Sequence, residues 1–192
     1  MRLVAIFESW HVPDGNYPPF DQGQAVRLSF VVDDFKLAGA SSKESWFKVH
    51  DDASCEFSGV ILGRYDGLTA LDVGNFRFYV HGTGSDRFNQ GRYVRGTGLL
   101  AVDHYAWFEG VSSFVDPPDL FFRGTIVRIR QVRIPERFIR RDARGKTMPT
   151  SVGPGEYTID DVEELVTMKG QAFDEEFYLL DVEVVPRGKV GG

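Results

Sequence analysis

Four histidines, His11, His50, His81 and His104, and a single cysteine, Cys55, are the side chains of this 192-residue chain best suited to hold a metal ion or act as nucleophiles. No two of the histidines stand two or four positions apart, the spacings that put a pair on one face of a strand or a helix. His81 and His104 both fall in strand-like runs that can lie side by side. Asp86 and Asp103 can join them in a carboxylate–imidazole site, although an ordinary surface or strand-edge histidine is the simpler reading of each. In "VDHYAW" an extended backbone sends Asp103 and Tyr105 one way and His104 the other, so the three form no single relay along a strand. "HGTGSD", His81 to Asp86, has the composition of a phosphate-cradling loop. Such loops feed a helix whose N-terminus meets the anion, whereas "RFNQGRYV" follows here and reads as a strand, so a hairpin loop explains the glycines. No G-x-S-x-G elbow occurs, and Cys55 has no histidine at a catalytic spacing. A free cysteine packs like a small hydrophobe, and Cys55 is read as a core residue. These residues point to no cofactor.

A second candidate is basic. "GTIVRIRQVRIPERFIRRDARGK", Gly124 to Lys146, lies in a chain of net charge −6, a balance that argues against polyanion binding by bulk charge. Leu120–Pro149 carries nine basic side chains against two acidic ones, net +7, and Thr150–Val185 carries ten acidic side chains against Lys169, net −9. The two segments nearly cancel. If "TIVRIRQVRI" pairs antiparallel with "FYLLDVEVV", Arg128 and Arg130 meet Asp181 and Glu183 across the sheet, at about 0.2–1 kcal/mol per pair and with no ligand. Arg137, Arg140, Arg141, Arg144 and Lys146 lie beyond those strands and can contact phosphates. Phe138 among them can stack on a base, as in single-strand binders. A protein partner with an acidic face fits the same loop. Trp10, Tyr17 and Phe20 surround the Pro-rich "SWHVPDGNYPPF"; exposed, they form a binding patch, and buried, they close the end of a core.

The elements that carry these residues read as strands. Sixteen Phe, seven Tyr and three Trp favour strands, and twenty-one Gly and nine Pro suit many turns. "QAVRLSFVVDDFKL" alternates, with Val26, Leu28, Phe30 and Val32 on one face. Gly59 and Gly63 interrupt the strand Phe57–Tyr65, and Gly96 and Gly98 the strand Arg92–Glu109, which marks bends or close packing. Between Ile129 and Val132 the apolar residues change parity, so a bulge is expected near Arg130–Gln131. "TIDDVEELVTMKGQ" carries an N-cap at Thr158, acids in its first turns, Lys169 in its last and Gly170 beyond, so a short helix is expected over 158–169, with a short strand as the rival.

The fold class expected is all-β: two small Greek-key barrel or sandwich modules, divided as 1–115 and 116–192 or merged in one compact unit. The Gly-kinked strands resemble in pattern those of small barrels such as the OB-fold. A lone cysteine fits a reducing compartment, the N-terminal apolar run is too short for a signal peptide, and no run approaches the roughly 20 apolar residues of a membrane helix. A cytoplasmic protein with no membrane association is expected. The leading functional expectation is a non-catalytic binding module for a protein or a single-stranded nucleic acid. The alternatives are a small enzyme or metal-binding protein using His81, His104 and Asp103, and a structural subunit of a homo-oligomer.

Overall fold

The computed structural model describes residues 1–81, 88–133, 139–141, 147–149, 158–165 and 176–185, with 139–141, 147–149 and 176 as backbone only. The protein is all-β, and its main sheet is a single mixed one of eleven strands. β1 (Arg2–Glu8) leads into a 3-10 turn at Ser9–His11. β2 (Ala25–Leu28), β3 (Phe30–Gly39), β4 (Trp46–Val49), β5 (Ser54–Tyr65), β6 (Leu68–Asp72), β7 (Arg77–His81) and β8 (Tyr93–Val102) follow. A five-residue helix, α1 (Ala106–Gly110), precedes β9 (Phe122–Arg133). β10 (Ile139–Arg141) and β11 (Thr147–Pro149) pair with each other, and β12 (Thr158–Val162) and β13 (Glu176–Val184) complete the order.

The sheet runs β12-β9-β13-β1-β8-β3-β7-β6-β5-β4, with β2 alongside β9. β8 pairs with β5 as well as β3, so the hydrogen bonding through β3, β7, β6, β5 and β8 returns on itself. Pairing also crosses the expected boundary at residue 115, because β1 pairs with β13 and β2 with β9. Two contacts in the sheet are parallel, β1 with β8 and β3 with β7.

Period-two alternation sorts β1 cleanly. Leu3, Ala5 and Phe7 enter the main core, while Val4 packs on the opposite face with Ala53, Val132 and Leu179. Both faces are covered, which is why "LVAIF" is apolar without interruption. Phenylalanines dominate the main core: Phe76 lies 5.4 Å from Phe30 and 4.9 Å from Phe122, and Phe57 lies 4.9 Å from Phe78 (ring centroids). Such offset and edge-on pairs add about 0.5–1.5 kcal/mol each beyond the area they bury. A smaller cluster on the outer face gathers Val31, Tyr79, Ala101 and Trp107 beneath α1.

Two local expectations change. Thr158–Val162 is not helical: it forms β12, antiparallel to β9 from Arg133 to Ile129. Asp160 and Asp161, read as helix first-turn charges, face arginines instead. Arg128 donates to Asp161 from Nε at 2.7 Å and from Nη2 at 2.9 Å, and Arg133 stands 3.8 Å from Asp160. Cross-strand partners and β-branched Thr, Ile and Val outweigh the capping pattern. The one α-helix among the described residues is α1. The bulge in β9 falls at Val127, since Asp181 pairs with Arg128 and the next residue, Val182, with Ile126. The parity change at Arg130–Gln131 has another cause. Arg130, Gln131 and Val132 are all buried, because this end of β9 is covered on both faces.

The expected pairing of β9 with β13 is present. Asp181, fully buried, accepts from Arg130 Nη2 at 2.6 Å and pairs with Arg2. Arg130 also donates from Nη1 to the Asp51 carbonyl at 2.9 Å. Arg128 turns to Asp161, and Glu183 lies opposite Thr125.

Candidate metal centre

The parallel contact between β1 and β8, in register at Ile6 and Ala101, sends both strands out at the same end of the sheet. The residues that follow them therefore meet: Glu8 and the turn Ser9–His11 after β1, and Asp103 and His104 after β8. One ligating atom from each of Glu8, His11 and His104 lies within 4.8 Å of the other two.

His11 anchors the group. Its carbonyl accepts from the amides of Asn16 and Tyr17 at 3.0 and 3.2 Å, which fixes the turn. Its ring is fully buried, stacked on Trp10 at 3.8 Å, with Phe7 at 5.5 Å, Tyr17 at 5.7 Å and His104 at 5.4 Å. Neither ring nitrogen has a hydrogen-bond partner among the described residues. An unanswered buried polar group costs about 1–3 kcal/mol, so two on one imidazole call for a partner. Burial first, then the neighbouring His104, lowers the imidazole to about 4 against the opposing pull of Glu8. His11 is thus neutral at pH 7, the form that ligates metals.

Glu8 occupies the N-cap position of the 3-10 turn without a side-chain cap bond, and its Oε2 accepts from Trp10 Nε1. Trp10 therefore holds Glu8 with its indole N–H and His11 with its ring face, leaving Glu8 Oε1 for an ion. His104, like Glu8, is only partly buried, with about a third of its side chain exposed, and its Nε2 lies 3.5 Å from Asp33 Oδ2. Asp33 is on the same face of β3 as Val31, and its carboxyl is raised above the usual range, first by burial and then, against the pull of His104, by Glu8 and Asp34. The residues directly after Asp33 and His104 both take left-handed conformations, Asp34 at φ 46° and Tyr105 at φ 69°. Such positions cost about 1–3 kcal/mol each in non-glycine residues and cluster at binding sites. In the irregular stretch beside the Asp33–Leu99 pair, Gly98 lets β8 approach closely: a Cβ there would stand 2.4 Å from Val32 Cγ1 and 2.7 Å from the Asp33 carbonyl oxygen.

A tetrahedral zinc site with bonds of 2.0–2.1 Å separates its ligand atoms by about 3.3 Å. The trio's atoms lie within 4.8 Å of one another, so an ion of that kind would draw in Glu8 and His104, the two members that are not fully buried. Two imidazoles and a carboxylate suit a first-row transition ion and leave coordination positions open.

Of the residues singled out from sequence, His104 belongs to this group and His81 and Asp103 do not. His81 is exposed at the end of β7, opposite Leu68. Asp103 is fully buried and fully used: its carboxylate accepts from Ser29 Oγ at 2.8 Å, Tyr79 OH at 2.5 Å, and the amides of Trp107 and Phe108 at 3.2 and 3.0 Å. Those last two bonds start α1. Asp86 lies outside the described residues, as do Arg137, Phe138, Arg144 and Lys146. Arg140 and Arg141 sit in β10, where the backbone pairs with Met148 and Thr147 of β11. Tyr17 and Phe20 are buried in the core, and Trp10 is half-buried over His11. Cys55 is buried, its thiol pushed up to about 12, chiefly by desolvation. His50 lies 3.3 Å from Glu56 on the β4–β5 hairpin, away from this group.

The sequence names His11 only as one of four candidate histidines and does not group it with Glu8. Their i, i+3 spacing was the available signal, because a 3-10 turn brings residues three apart onto one side. Among the described residues no helix is long and apolar enough to cross a membrane. Comparison with known protein families, curated proteins and solved structures finds no match to this chain.

Proposed function

We propose that the protein binds a divalent first-row transition ion, with zinc the reference case, through Glu8, His11 and His104. The observation that carries this reading is His11: a fully buried imidazole with both nitrogens unpartnered among the described residues, facing a carboxylate and a second imidazole. The arrangement belongs to the metal-protein alternative raised by the sequence, with His104 kept and Glu8 and His11 in place of His81 and Asp103. Neutral imidazole and carboxylate oxygen are the donors such ions take.

Calorimetric titration of the chelator-stripped chain with zinc tests the reading. One zinc per chain is expected, with uptake lost in His11→Ala and weakened at least tenfold in Glu8→Gln and His104→Ala. A wild-type chain that takes up no zinc at micromolar concentration would sink it.

A further inference from the structure

We infer that Asp33 is the positioning residue of this centre: it accepts a hydrogen bond from His104 Nε2–H, fixes that tautomer, and so makes Nδ1 the nitrogen that His104 offers to the ion. The inference rests on the proposed metal reading and adds which atom of His104 binds and what holds it.

The geometry favours this role over direct ligation. Nε2 is the His104 nitrogen nearest Asp33, at 3.5 Å, a gap that a small ring rotation closes to hydrogen-bond length. Asp33 stands outside the trio whose ligating atoms share the 4.8 Å span. An imidazole that donates one N–H to a carboxylate presents its other nitrogen as a lone pair of increased basicity, which is how carboxylates behind metal-bound histidines act. The backbone is built to hold the pair. The left-handed residues Asp34 and Tyr105 follow its two members, and the β3 strand is irregular between Asp33 and Lys36 just where Gly98 allows close approach. Glu8, Asp34 and His81 are the other charged or titratable groups near Asp33. None of them replaces it, because Glu8 is engaged by Trp10 and the trio, and Asp33 is the carboxylate that pairs with the His104 ring.

Long-range proton–nitrogen spectra of the imidazoles in the zinc-loaded chain read the tautomer directly. His104 is expected with a proton on Nε2 and zinc on Nδ1. Zinc affinity is expected to fall about 10- to 100-fold in Asp33→Ala and less in Asp33→Asn, whose amide oxygen still accepts. Circular dichroism confirms that each variant is folded, and the wild-type spectrum needs no variant. Zinc on His104 Nε2, zinc bonded to Asp33 itself, or wild-type affinity in a folded Asp33→Ala chain overturns the inference while leaving the metal reading standing. Failure of the wild-type chain to bind zinc overturns both.

Discussion

Asp103 and His104 are neighbours in sequence and opposites in chemistry. Asp103 is fully buried, and four donors from Ser29, Tyr79 and α1 saturate its carboxylate, while its carbonyl accepts from Tyr17 OH at 3.0 Å. His104 turns the other way, to His11, whose two ring nitrogens are buried and unanswered among the described residues. A saturated buried polar group holds a fold together, whereas an unsaturated one lowers stability until something binds. The turn at residues 103–105, with Tyr105 left-handed, separates a structural node from the proposed binding site within one residue.

The largest expected effect lies on the structural side. Asp103→Ala leaves four donors unpaired, three of them buried and the Phe108 amide part-buried, and is expected to cost about 3–5 kcal/mol in urea unfolding of the metal-free chain. His11→Phe keeps a ring of similar size and deletes the two unanswered nitrogens. It is expected to leave metal-free stability unchanged or slightly raised, while abolishing zinc uptake. A loss of several kcal/mol in His11→Phe would break the comparison by making His11 structural too.

Cys55 sharpens the contrast as a buried group kept neutral chiefly by desolvation. With its thiol raised from 9 to about 12, its thiolate fraction at pH 8 is about a thousandfold below that of an unfolded cysteine, so alkylation of the native chain is expected to be slower by at least that factor. The folded-state value is the higher one, so the stability it contributes is fully present below pH 9 and is lost as pH rises through 12. Urea midpoints measured from pH 8 to 11 should fall in the wild type more than in Cys55→Ala. The smallest effect is at the surface. Arg128 and Asp161 form a two-bond pair, but both are exposed. Arg128→Ala is expected to cost less than about 1 kcal/mol, with the difference fading in high salt, as judged by thermal unfolding at two ionic strengths.

How much of this could be read from sequence depended on range. The partnership of β9 with β13 was legible because charge balance in adjoining segments is a local property, and Arg130 meets Asp181 as that balance implied. The choice of Asp161 by Arg128 was not, since it required Thr158–Val162 to be a strand when its caps and acids fit a helix equally well. The bulge at Val127 was misplaced because burial on both faces of β9 imitates a register slip. The proposed metal trio was hidden for a topological reason. Glu8 and His11 reach His104 only through the parallel β1–β8 contact, between strands about ninety residues apart that no periodicity connects. His104 was picked out, but the partners assigned to it, His81 and Asp103, came from sequence proximity and strand alternation. In the fold, Asp103 is occupied, and His81 lies in β7 beside β3, where its charge acts on Asp33.

The most direct measurement is anomalous diffraction at the zinc edge from crystals of the zinc-loaded chain. One strong peak per chain is expected, about 2.0–2.1 Å from a nitrogen of His11 and from Nδ1 of His104, with a Glu8 oxygen completing the protein ligands. No peak there, or zinc seated only at the His50–Glu56 pair on the β4–β5 hairpin, would contradict it.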